Sequence, residues 1–372
     1  MEKRQVTSKA PGRINLIGEH TDYTGGYVMP AAIDKTTQFT IVRNGTDTTV
    51  NLRAINMNES FSFDLSHFDR VESGWPNYLM GIVDEFLKLG HKLEGFDVEF
   101  EGNVPIGAGM SSSAALDCGF GIGLSKLFDL KIDPIELILL AQRADHNFVG
   151  IKCGVMDQFA SVMGKKDHVF TLDCETLEYH YHPFNLSGLR LVLLNSMVTH
   201  TLANSAYNKR REECELGVDI LRKRLGDSQN FKNTTLAQLI ECSSEMSETV
   251  FARSRHVISE NNRVRQTGKA LIERDFNQVG QLLYESHNSL KDDFEVSCSE
   301  IDFLVDLTKN NSSVLGSRIM GGGFGGCTLN LVQEDAMDEF ISISYEKYLA
   351  QFGIKLESHL PTLADGALFL NQ

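Results

Sequence analysis

Between Met320 and Cys327 the chain reads Gly-Gly-Gly-Phe-Gly-Gly, five glycines in six positions. Ordering glycine loses more backbone entropy than ordering any other residue. Close approach of this backbone to another backbone or to a ligand would justify that loss. A tight bend ahead of a strand at residues 327–332 is the plainer reading, but one bend does not need five glycines. The segment is therefore expected to serve a function.

A second small-residue loop, Pro105-Ile106-Gly107-Ala108-Gly109-Met110-Ser111-Ser112-Ser113-Ala114-Ala115, precedes a helix expected to run to about Phe128. Its glycines permit close backbone approach, and the helix start offers unpaired N–H groups at the positive end of the dipole. The serine hydroxyls add donors or a cation ligand. The loop is neither a Walker A motif, since GxxxxGK[ST] occurs nowhere, nor a dinucleotide fingerprint, since the third glycine is missing. Taken alone, it also reads as a flexible turn with serine caps.

Around these loops the patterns mix. Strands are expected at residues 36–43, 48–53, 96–101, 169–173 and 189–195. A helix opens at Pro76 and carries a stripe of Leu79, Ile82, Val83, Phe86 and Leu87. Asp133-Pro134-Ile135-Glu136 starts another, expected to reach about Phe148, and residues 212–307 are mostly helical. Without a regular βαβ rhythm, this is an α+β chain. Its 372 residues suggest two domains meeting near 180–200.

The net charge of −15 argues against nucleic acid and anionic membranes as partners. Seven scattered cysteines without a CxxC pair suit a reducing compartment. No apolar leader follows Met1 and no run is long enough to cross a bilayer, so a cytoplasmic location is expected. His180 and His182 share a strand face without further ligands beside them, and Lys209-Arg210-Arg211 is either a solvated helix face or a source of positive potential.

Near the N-terminus, Ala10-Pro11-Gly12-Arg13-Ile14-Asn15-Leu16-Ile17-Gly18-Glu19-His20-Thr21-Asp22-Tyr23 gathers Arg, Glu, His and Asp around two glycines. Such side chains can converge on a polyol, or they can form a charged surface loop. This segment and the two glycine clusters resemble the three signature motifs of the GHMP small-molecule kinases. Within that superfamily they resemble the galactokinase family. Cys153-Gly154-Val155-Met156-Asp157-Gln158, Tyr207-Asn208-Lys209-Arg210-Arg211-Glu212 and the run from His287 to Val296 extend the resemblance over residues 8–330.

The resemblance implies a two-domain GHMP kinase fold. A ribosomal-protein-S5-domain-2-like lobe over residues 1–190 would carry the signature and phosphate loop, and a ferredoxin-like α+β lobe would occupy residues 191–372. It implies transfer of the γ-phosphoryl of ATP to the anomeric hydroxyl of galactose, with ATP and Mg²⁺ required. Asp157 would accept the hydroxyl proton, and Arg13 would keep it ionised and stabilise the transferring phosphoryl.

Glu19, His20, Thr21, Asp22, Gly154 and Tyr207 would contact the sugar, with Asp22 toward C3/C4 and Glu19 toward C6. Gly107, Ala108, Gly109, Met110, Ser111, Ser112 and Ser113 would hold the ATP phosphates. Ser113 and Asp145 would hold the metal. Where relatives carry glutamate this chain has Asp145, one methylene shorter, so weaker apparent Mg²⁺ binding is expected. Trp75 corresponds to an aromatic near the adenine or is a core residue. The expected partners are galactose and ATP alone, in a monomer or weak homo-oligomer. A kinase for a different sugar, and a non-catalytic galactose and ATP sensor, are the alternatives. The intact Ser111–Ser113 run speaks against the sensor.

Overall fold

The computed structural model describes residues 4–72, 74–199 and 203–370. Its largest sheet has six strands in the order Leu368–Leu370, Gln5–Asn15, Pro30–Arg43, Phe96–Gly102, Thr49–Ala54 and Glu59–Asp64. All neighbours run antiparallel except Thr49–Ala54 beside Phe96–Gly102, which pair parallel. Helices Pro76–Lys88, Ser112–Leu127 and Pro134–Ala144 lie against it. Their apolar stripes meet Phe39, Ile41, Leu52, Phe96 and Val98 in one cluster. A four-stranded antiparallel sheet follows the order Val314–Met320, Gly325–Gln333, Leu189–Thr199 and Glu357–His359.

That second sheet is buried on both faces, which explains the unbroken apolar run at its central strand. Leu191 and Leu193 turn to one cluster with Val264 and Leu282 of the helices Glu248–Glu273 and Phe276–Asp292. Val192 and Leu194 turn to the other, with Leu304, Phe340 and Tyr348 of the helices Ser299–Lys309 and Met337–Phe352. The first of these clusters also holds Ile14, Leu16, Ile17 and Met29. The end of the strand Gln5–Asn15 is thereby packed against elements more than 170 residues later. A small sheet of Tyr27–Val28, His168–Asp173 and Tyr179–Pro183 completes the fold.

Two local features matter for the site. The charged segment around Arg13 is no surface loop: Gln5–Asn15 is a strand whose last six residues are buried. The helix begun at Pro134, with the Asp133 side chain accepting from Glu136 N at 2.9 Å, stays α-helical only to Ala144. A π-helical turn, Asp145–Val149, follows. Its cause is the Asp145 carbonyl, which accepts from both Gly150 N at 2.8 Å and Ile151 N at 2.9 Å, with Gly150 at φ 87° closing the turn. Among the described residues no helix is long and apolar enough to cross a membrane. All seven cysteines are free thiols.

Candidate active site

After the strand Gln5–Asn15 the backbone folds over itself between Gly18 and Gly26. Thr21 organises this loop. Its hydroxyl sits 2.9 Å from Gly18 O and 2.7 Å from Tyr27 O, and its carbonyl accepts from Thr24 N and Gly26 N at 3.2 and 2.8 Å. Thr21 is fully buried, so it faces the loop rather than the cleft. Glu19, His20 and Asp22 face a cleft of about 430 Å³.

Glu19 Oε1 accepts from Arg318 Nη2 at 2.7 Å and from Gly321 N at 2.8 Å. Its other oxygen has no donor among the described residues. His20 adopts φ 62° and shares a hydrogen bond with Tyr23 OH at 2.9 Å through Nδ1, while Nε2 is buried without a partner. Burial, reinforced by neighbouring His256, pushes its pKa down to about 3, so the ring is neutral. Tyr207, on the helix Ala203–Leu225, lies 5.4 Å from His20 between ring centroids, and Phe294 flanks His20 at 4.7 Å. Burial and the charge of Asp22 keep the Tyr207 hydroxyl protonated. Asp22 lies directly over Gly154, where a methyl group would overlap its carboxylate. Burial together with Asp157 and Glu19 pushes the Asp22 carboxyl up to about 7, against the Tyr23 N–H and Arg13.

Across the cleft, Arg13 grips Asp157 with two parallel hydrogen bonds, Nε to Oδ1 and Nη2 to Oδ2, each 2.8 Å. Its third nitrogen donates to Gly109 O. Although burial disfavours the cation, Asp157, Glu19 and Asp22 hold the Arg13 pKa above its usual value. Asp157 sits in the first turn of Met156–Met163, and Ser111 Oγ donates to its Oδ2. Ser111 stands at φ 55° just before the helix Ser112–Leu127, and with its hydroxyl on Asp157 it does not cap that helix. Gly107, Gly109 and Ser113 line the cleft. Ala108 and Met110 turn into the core and act through the backbone, Met110 O accepting from Arg13 N at 3.0 Å. Ser112 does not line the cleft.

The glycine-dense turn is lodged against this loop. Gly321 packs on Gly109, and Gly323, at φ 86°, stands where a Cβ would meet Val296 O at 2.5 Å. Phe324 N donates to that same Val296 carbonyl at 2.7 Å. The turn lines the cleft from Gly321 to Gly326. Close backbone packing and a place on the cleft lining thus both bear on its composition.

At the far end, Asp145 is 4% exposed. Its Oδ2 accepts from Gln158 Nε2 at 2.8 Å and contacts the Cys153 thiol at 3.5 Å, but Oδ1 has no partner. Burial pushes its carboxyl up to about 7. Hard oxygens of Asp145 and Ser113, which both line the cleft, fit a small divalent cation.

Several residues with no visible signal in the sequence support the loop from behind. Arg318, fully buried, donates to Leu16 O, Asn15 O and Ile319 O besides Glu19. His256 Nε2 is 3.1 Å from Glu19 O, Glu260 Oε1 accepts from Gly18 N at 2.9 Å, and Asn261 Oδ1 accepts from Tyr27 N at 2.7 Å. The only available hint was a lone cation, Arg318, inside an apolar strand. Other candidates have structural partners. Trp75 packs edge-on to Phe100 at 5.1 Å and donates to Glu59 at 2.7 Å, away from the cleft lining. His182 shares a hydrogen bond with Thr171 at 2.9 Å. Arg210 is buried on Phe294 O at 2.6 Å, and Arg211 reaches Lys152 O at 2.8 Å.

Three family signatures match the chain: the galactokinase galactose-binding signature at residues 1–42, the GHMP kinase N-terminal domain at 77–165 and the GHMP kinase C-terminal domain at 269–347. The chain is 40% identical over 367 residues to the galactokinase of Bacillus subtilis, covering 96% of this chain and 93% of that one. It is 40% identical over 358 residues to the galactokinase of Thermotoga maritima, covering 96% and 98%. The structure of Lactococcus lactis galactokinase complexed with galactose superposes with a TM-score of 0.94 at 33% identity, covering 99% of this chain and 95% of that one. A mevalonate kinase at 16% identity, covering 97% of this chain and 99% of that one, shares the fold with a TM-score of 0.68.

Proposed function

The chain belongs to the galactokinase family of the GHMP kinases and is an ATP-dependent sugar kinase, and from that premise we propose the chemistry its cleft performs. The reaction moves the γ-phosphoryl of ATP to the C1 hydroxyl of α-D-galactose, giving galactose 1-phosphate and ADP. The observation that carries the reading is the Asp157 carboxylate, gripped by Arg13 on one side and by Ser111 on the other. It stands between the Glu19–Asp22 loop and the Gly107–Ser113 turn.

Galactose lies against Glu19, His20, Asp22 and Tyr207, with Gly154 beneath the Asp22 carboxylate. The free Glu19 oxygen, the orphaned His20 Nε2 and the Asp22 carboxylate meet its hydroxyls. A site whose buried acceptors pair only with one epimer rejects the other strongly, because the wrong sugar leaves them unpaired. ATP phosphates lie along Gly107, Gly109 and the start of the helix Ser112–Leu127, where backbone N–H groups and the dipole favour anions.

As the C1 oxygen attacks the γ-phosphorus, its proton passes to Asp157, and the bond from that phosphorus to the β–γ bridging oxygen breaks to release ADP. Arg13 has five N–H donors, of which the grip on Asp157 and Gly109 engages three. The remaining two are at hand for the transferring phosphoryl. Ser113 and Asp145 would hold Mg²⁺, the unpaired Asp145 Oδ1 marking the place. An ion held there would supply positive charge against the negative charge developing on the transferring phosphoryl.

An ADP-release assay with MgATP and a panel of sugars tests the proposal. Turnover on galactose, falling about 10³-fold in Asp157→Asn, is expected. Turnover confined to another sugar would overturn the assignment of Asp22, and galactose binding without any turnover would overturn the reaction itself.

A further inference from the structure

Asp117 lies one turn beyond Ser113 on the helix Ser112–Leu127, so the two share a face. It is 1% exposed, and neither of its carboxylate oxygens has a hydrogen-bond partner. Asp145 approaches from the π-helical turn, with Oδ1 in the same condition. Ser113 and Asp145 line the same cleft, and the charge of Asp145 adds to burial in raising the Asp117 carboxyl. No lysine, arginine or histidine among the described residues offsets either aspartate. Three unpartnered carboxylate oxygens on two buried side chains therefore stand behind a serine that opens on the cleft.

A folded protein does not keep two such groups without compensation. Protonation of both, the direction in which burial pushes each, would remove the charge and still leave their oxygens without partners. A divalent cation satisfies both, and Mg²⁺ accepts two carboxylates alongside phosphate oxygens. We propose that Asp117 supplies the second carboxylate of the Mg²⁺ site, so that the ion is held by Ser113, Asp145 and Asp117 together. This rests on the reading of the cleft as the MgATP site. It also gives the short side chain at position 145 a partner that extends the reach of the site.

The test uses the full-length protein with Mn²⁺ as probe, free Mn²⁺ being counted by electron paramagnetic resonance with ADP present. Asp117→Asn is expected to weaken Mn²⁺ binding at least tenfold while leaving galactose affinity measured without nucleotide within twofold. It should raise the metal-free melting temperature at neutral pH, because a buried carboxyl that must take up a proton on folding is gone, and shrink the increase that Mg²⁺ produces. A purely structural aspartate would give a lower metal-free melting temperature and unchanged Mn²⁺ affinity, which overturns the proposal. Ser113→Ala and Asp145→Asn run in parallel. Weakened binding in these two but not in Asp117→Asn removes Asp117 from the site and keeps the site, whereas no effect in all three removes the site. Anomalous scattering from Mn²⁺ in wild-type crystals with ADP gives a second answer free of any folding defect. A peak bonded to an Asp117 oxygen, directly or through one water, supports the proposal, and a peak farther away overturns it.

Discussion

At Asp157 the arrangement asks for a planar fork. Two parallel 2.8 Å hydrogen bonds from Arg13 fix both the carboxylate plane and its distance from the Gly109 carbonyl. Lysine, a point charge on a flexible stem, cannot make both contacts. Arg13→Lys is therefore expected to lower kcat about 10²-fold. The galactose KM should change much less, as steady-state kinetics would show. Asp22 brings a pH dependence. Its carboxyl, pushed up to about 7, must be ionised to accept from two sugar hydroxyls, so galactose affinity should weaken as pH falls through 7. Titration calorimetry across pH 5.5–8.5 should show this slope in wild type and not in Asp22→Asn. The stability effect has the opposite sense. A carboxyl whose folded pKa exceeds its unfolded value of 3.8 takes up its proton on folding. Its contribution thus falls as pH rises from about 4 to about 7 and stays low above. Without galactose, Asp22→Asn should consequently melt higher than wild type at pH 8 and gain less at pH 5.

Among the elements, those with a strong local signal were legible from composition. The helix Pro76–Lys88 has its proline start and apolar stripe, and the strand Phe96–Gly102 has its alternation. The π-helical turn Asp145–Val149 was not, since its residues continue a helical pattern and only the Gly150 and Ile151 hydrogen bonds to Asp145 O distinguish it. In the strand Gln5–Asn15 no local pattern buries Arg13; only the family resemblance paired it with Asp157, 144 residues later. Gly154 shows the same limit. Nothing local demands glycine there, as the demand comes from the Asp22 carboxylate resting on it. Gly154→Ala should push Asp22 aside and raise the galactose KM by about 10²-fold, equivalent to about 2.7 kcal/mol. The ATP KM should not move. A parallel rise in both would mean that the methyl group disturbs the helix Met156–Met163 rather than the placing of Asp22.

Over the whole molecule, the sugar-facing loop is an N-terminal segment held by the later part of the chain. His256, Glu260 and Asn261, three side chains on adjacent turns of the helix Glu248–Glu273, bond the backbone at Glu19, Gly18 and Tyr27. Arg318 ties Asn15, Leu16 and Glu19 to the sheet strand Val314–Met320. The loop's shape is thus fixed by contacts spanning more than 230 residues, which no window of sequence contains. Burial pushes the His256 pKa down to about 4, against the charge of Glu260, so the ring is neutral. A neutral ring that donates through Nε2 to Glu19 O leaves Nδ1 to accept from Ser289, 2.9 Å away. His256→Leu strands the Glu19 carbonyl in a buried site, while Ser289 keeps Asp293 Oδ2 at 3.3 Å, and should cost about 1–3 kcal/mol of stability. If the helix holds the loop in its sugar-binding shape, the galactose KM rises in the same variant while the ATP KM stays put. A loss of melting temperature with an unchanged galactose KM would instead leave the shaping of the loop to Glu260, Asn261 and Arg318, whose buried guanidinium grips it at three points.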